Sequence, residues 1–76
     1  MARLRIKKMD RRLGLRLYDL VCGSRKVGSL VVNPSPGGHE INWTGAGGLH
    51  RRSFRPGPLP LAVASARRIA GSIRCP

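Results

Sequence analysis

The side chains through which this chain could act are its twelve arginines and three lysines, set against three acids. The chemistry they offer is recognition of anions. An arginine presents a flat fork of donors that pairs bidentately with phosphate and stacks on planar groups; a lysine is a hydrated point charge. The formal net charge is +12 and the sequence pI is about 11.9. A chain of 76 residues has no interior large enough to hide such charge. The cations therefore belong to the surface, and a surface of this kind seeks a polyanion, nucleic acid being the commonest in a cell.

The cations cluster. Arg3, Arg5, Lys7, Lys8, Arg11, Arg12 and Arg16 share the first sixteen residues with Asp10 alone. Arg25 and Lys26 form a second group, Arg51, Arg52 and Arg55 a third, and Arg67 and Arg68, with Arg74 beyond them, a fourth. Residues 27–50 contain no Lys or Arg. One neutral and one strongly positive region are expected.

Other chemistry finds little material. Asp10, Asp19 and Glu40 are the only carboxylates, and no two are close in sequence. Glu40 adjoins His39, but neighbours on a strand point to opposite faces. Cys22, His39, His50 and Cys75 number four, as a zinc site requires, yet lie 17, 11 and 25 residues apart, without the short paired spacings of zinc modules. No metal and no cofactor are expected. The two cysteines read as free thiols by default, as is usual in a reducing compartment. The Gly-rich run from Gly45 to Arg55 lacks the closing Gly-Lys-Ser/Thr of a phosphate-binding loop. The expectation is a protein that is not an enzyme.

These residues have to be positioned by one small domain. A chain of this length buries only about 60% of its unfolded surface, so its stability is marginal. With 41% hydrophobic residues it is still too apolar for a disordered tail. No apolar run is long enough to span a membrane, and the N-terminus lacks the apolar stretch of a secretory signal. A cytoplasmic setting is expected, the host cytoplasm if the chain is phage-encoded.

Alternation in Arg3-Leu4-Arg5-Ile6-Lys7 predicts a strand over residues 3–8, with Leu4 and Ile6 on one face and the cations on the other. A turn over 9–12 leads to a second strand over 14–22. There Leu15 and Leu17 are expected inward, Arg16 and Tyr18 outward, with a bulge near Asp19. Gly23–Lys26 reads as a hairpin turn and Val27–Val32 as a third strand. Asn33–Gly38 reads as a breaker. Ile41 and Trp43 alternate within a fourth strand over 39–44. Residues 45–58 read as a loop. From Pro58 or Pro60 a helix is expected to run to residue 73. Leu59, Ala62, Val63, Ala66, Ile69, Ala70 and Ile73 fall within about 120° at 100° per residue, with Arg67 and Arg68 outside that arc.

The fold class is thus α+β: a small antiparallel meander of three or four strands spanning 3–44, the 45–58 loop, and one C-terminal helix, 59–73, on one face. That layout is similar in outline to the arm-binding domains of phage integrases and to compact phage-encoded inhibitors, some anti-CRISPR proteins among them. Layout alone carries the likeness, and many functions share one layout.

The expected function is nucleic-acid binding, DNA or RNA, by phosphate neutralisation. The residues expected to act are Arg3, Arg5, Lys7, Lys8, Arg11, Arg12, Arg16, Arg25, Lys26, Arg51, Arg52, Arg55, Arg67 and Arg68, with Tyr18 stacking on a base. A protein-binding inhibitor of a host complex is the alternative, docking on an acidic protein or ribonucleoprotein through Trp43, Phe54 and His50, since Trp and Arg are typical interface anchors. A structural ribonucleoprotein component is the third reading. The sequence leaves the oligomeric state open.

Overall fold

The computed structural model describes residues 1–35, 38–45, 48–53 and 59–75, with backbone alone at 35, 51–53 and 59. Five strands and one helix follow in order: β1 Arg3–Asp10, β2 Leu15–Cys22, β3 Arg25–Ser35, β4 Gly38–Gly45, β5 Gly48–Ser53 and α1 Leu59–Ser72. The strands form one antiparallel sheet in sequence order, β1-β2-β3-β4-β5. The expected α+β meander with a C-terminal helix is what the chain forms.

The strand count differs from the expected three or four, and the extra strand lies within the expected 45–58 loop. Gly48–Ser53 pairs with β4 from Gly45↔Gly48 to Glu40↔Ser53. Its local sequence, Gly-Leu-His-Arg-Arg-Ser, lacks β-branched and aromatic residues. Only pairing to a formed neighbour makes it a strand, which is why β-propensity missed it. Residues 54–58, including Phe54 and Arg55, lie outside the described residues.

β3 also runs through Asn33-Pro34-Ser35, expected as a breaker. Proline is tolerated where one side of the strand is not needed for pairing. That condition holds here: the β2–β3 register ends at Arg16↔Val32, while Pro34 lies opposite His39 of β4 alone.

One face of the sheet carries the core. Tyr18, Leu20, Leu30, Val32 and Ile41 pack beneath Ala62, Ala66, Ile69, Ala70 and Ile73, with Leu4, Cys22, Val27 and Trp43 at the margin. The alanines at 62, 66 and 70 let the helix backbone approach the sheet closely. Leu20, Leu30, Val32 and Ile41 are fully buried, each contributing about 1.5–3 kcal/mol.

This overturns the expected facing of β2. Tyr18, expected outward, is only 8% exposed in the core. Leu15 and Leu17, expected inward, sit half-buried on the sheet face away from the helix. The alternation Leu15/Leu17 against Tyr18/Leu20 is equally apolar in either phase, and cross-strand partners decide it. Tyr18 lies opposite Leu30, and Leu20 opposite Gly28. Asp19 keeps the phase; the irregularities fall at Ile6/Lys8 and Leu20/Val21.

Gly28 marks a tight crossing. A Cβ there would stand 2.3 Å from the Thr44 carbonyl oxygen. The hydroxyl Oγ1 of Thr44 accepts from the Ser29 amide at 3.1 Å in the same place. Only glycine admits this approach of β4 to the start of β3.

Two ties fasten the chain ends. The Ala2 amide donates to the Ile73 carbonyl at 3.0 Å. Cys22 and Cys75 form a disulfide, their Cα atoms 5.6 Å apart. The expected free thiols are therefore bonded to each other. Spacing in sequence gave no sign of this, because 53 residues separate the two; the helix brings them together.

Candidate nucleic-acid interface

The meander sorts the charges. β1 is an edge strand, and most of the described cations lie on β1, its turn into β2, β2 itself, the first two residues of β3, and α1, with Arg74 just past the helix. The remainder of β3 and all of β4 carry none. The cation-free stretch read from the sequence thus occupies the middle of the sheet, between the cation-rich β1–β2 edge and β5. On β5, Arg51 and Arg52 occupy strand positions on the far side.

Arg5 and Lys26 are committed elsewhere. Arg5 Nη2 donates to Asp19 Oδ2 at 3.1 Å, and Lys26 Nζ stands 3.2 Å from Asp19 Oδ1. Asp19 is 8% exposed, and the two cations cover it from β1 and β3. Asp19 is thus paired with a cation from each neighbouring strand. The hydrogen bond from Arg5 holds the Asp19 carboxyl below the ordinary aspartate range, with Lys26 adding to the effect and burial opposing it. Both cations were expected as phosphate ligands. Here they pin the first three strands together.

A pH dependence follows. The folded carboxyl titrates lower than the unfolded one, so its contribution is present above the unfolded value. It is lost as pH falls below about 4, through the folded value. Denaturation midpoints measured from pH 7 down to pH 3 are expected to drop in that window, and Asp19→Asn to flatten the drop. An unchanged profile in Asp19→Asn would show the bridge to be idle.

The free cations sit elsewhere. Asp10 Oδ1 accepts from the amides of Arg12 at 3.0 Å and Leu13 at 3.2 Å. A carboxylate bonding amides two and three residues ahead fixes this turn, and Arg11 and Arg12 project from it, exposed. The β1 irregularity between Ile6 and Lys8 breaks the alternation there, leaving Lys7 and Lys8 both exposed beside the turn.

Arg16 faces the helix, half-buried, where Pro60, Val63 and Arg67 join it around a cleft of about 260 Å³. Arg67 also lines a second cleft, of about 360 Å³, with Met1, Ala2, Arg3, Leu4, Ala70 and Gly71. Arg68 turns back on its own helix, Nη2 donating to Ser65 Oγ at 3.1 Å. Arg25 is exposed at the opposite end of β2, in the β2–β3 hairpin.

Of the residues singled out in the sequence, Arg3, Lys7, Lys8, Arg11 and Arg12 lie on β1 and its turn, and Arg67 lies on the helix. Sequence reasoning missed the Arg3–Arg67–Arg16 seam, which needs the helix register and the sheet order together. It also missed that the ring of Tyr18 is turned into the core. On the neutral side, Trp43 and His50 stack with centroids 5.3 Å apart and planes 20° from parallel. They are register partners across β4 and β5, a pairing hidden while 45–58 reads as a loop.

Cys22 and Cys75, being bonded to each other, offer no thiolate to a metal. No cluster of three potential metal ligands occurs among the described residues. None of the described helices is long and apolar enough to cross a membrane. Compared with family models, curated proteins and solved structures, the chain matches none.

Proposed function

We propose that the chain is a small, non-enzymatic nucleic-acid-binding protein that acts by neutralising phosphates. The observation that supports this reading is the grouping of unpaired cations: Arg3, Lys7, Lys8, Arg11, Arg12, Arg16 and Arg67 on β1, its turn, β2 and the helix, while β3 beyond Lys26 and all of β4 carry none. Net charge explains attraction to any polyanion; grouping the charge explains a contact surface. With Tyr18 buried, base stacking falls to arginine planes, and binding is expected to be largely blind to sequence.

A native-lysate pull-down with and without nuclease tests this. The expected result is a co-purifying nucleic acid, with associated proteins lost after nuclease. Retention of one protein partner after complete digestion would contradict it.

A second reading, a protein-binding inhibitor, is favoured by the Trp43–His50 stack alone. A half-buried tryptophan, already ordered against an exposed imidazole on the neutral side, is a suitable anchor for a protein partner. In a cytoplasmic setting the Cys22–Cys75 bridge would face a reducing pool, since disulfides persist mainly in oxidising compartments. The phosphate chemistry is the same in either.

A further inference from the structure

We infer that the seam between α1 and the β1–β2 edge is a groove for a single nucleic-acid strand, in preference to a duplex, an inference that rests on the nucleic-acid reading above. Two clefts lie beside the helix, and Arg67 lines both. Their helix residues span Pro60 to Gly71, roughly 16 Å along the helix at 1.5 Å per residue. Arg3 and Arg67 line one and Arg16 and Arg67 the other, and none of the three is in an ion pair among the described residues. Between them the lining is apolar: Met1, Ala2 and Leu4 on one side, Val63 and Ala70 on the other.

That mixture selects among nucleic acids. A duplex turns its base faces inward and offers phosphates on a convex cylinder. An apolar recess gains nothing from it. A single strand exposes base faces that need covering and phosphates that need neutralising, and a groove of arginines over an aliphatic floor supplies both. Clefts of 260 and 360 Å³ have the size of small-ligand pockets, room for a nucleotide and not for a helix of paired strands. The exposed β1–β2 turn, with Lys7, Lys8, Arg11 and Arg12, would then add phosphate contacts on either form.

The test is fluorescence anisotropy at matched salt, using a labelled oligodeoxythymidine and a duplex of equal length, on the oxidised full chain. Single-strand binding is expected to be tighter than duplex binding by about tenfold. Arg67→Ala is expected to weaken single-strand binding by about tenfold, as loss of a charged hydrogen-bonding partner does. Arg74→Ala removes the same charge from beyond the groove and is expected to change it less than about twofold. Arg67 and Arg74 are both exposed, so the fold should survive either change, and circular dichroism checks this. A duplex bound as tightly as the single strand, or equal effects of Arg67→Ala and Arg74→Ala, would overturn the groove while leaving nucleic-acid binding standing. Binding of neither probe would remove the nucleic-acid reading and the groove with it.

Discussion

Replacing both Cys22 and Cys75 by serine is expected to cost about 4 kcal/mol of unfolding free energy. The bridge closes a loop of 53 residues, and the chain-entropy cost of opening one that long is of that size. For a domain of this length each kcal/mol moves the melting temperature by about 4–8 °C, so a drop of roughly 15–30 °C is expected. A small domain whose repulsive charge of +12 already works against compaction has little stability in reserve. The bridge also fixes a particular contact. It ties the end of β2 to the segment just past α1, where otherwise the hydrogen bond from the Ala2 N–H to the Ile73 carbonyl holds the helix end. Thermal unfolding followed with and without reductant measures this. Reductant should lower the melting point of the native chain and leave that of the double serine variant alone. A shift below about 5 °C would mean that the helix is held by its alanine face and not by the bridge.

The second large effect is on binding. A protein that displaces counterions from six phosphates has a log–log slope against salt of about −5 on duplex DNA and about −4 on a single strand. Between 50 and 200 mM salt, affinity for duplex is then expected to fall by about 10³. Seven described cations on the β1 and helix-seam side lie outside any ion pair, enough for six contacts. Charge reversal at Arg11 and Arg12 removes two of them from an exposed turn, and the slope should become shallower by about two. A wild-type slope shallower than about −2 would show that hydrophobic or specific contacts, not phosphates, hold the ligand.

The sequence carried the parts of the fold that local chemistry decides. The period-two alternation of Arg3–Lys7, the glycine turn at residue 23 and the apolar stripe from Ala62 to Ile73 each specify their element without help. β5 was illegible because Leu49-His50-Arg51-Arg52 has no strand preference of its own and is made a strand by β4. The facing of Tyr18 was illegible because both faces of β2 are apolar, Leu15 and Leu17 on one and Tyr18 and Leu20 on the other. Leu30, across the sheet, settles which of them is core. The candidate site divides in the same way. The Lys7–Arg12 cluster is local and visible in the chain. Arg67 lies 51 residues from Arg16 and further still from Arg3, and only the helix laid over the sheet places it in a cleft with each. The capture of Arg5 and Lys26 by Asp19 likewise depends on the registers Arg5↔Asp19 and Asp19↔Ser29, not on any motif.

Amide chemical-shift mapping by NMR, during titration with an oligonucleotide, asks the structural question most plainly. If the cationic side is the contact surface, the largest shifts fall on Arg3–Arg12, Arg16 and Arg67–Gly71, and β4 stays still. Shifts concentrated instead at Ile41–Trp43 and His50, or spread evenly over the whole sheet, would show that the grouped cations of β1 and α1 are not where the ligand sits.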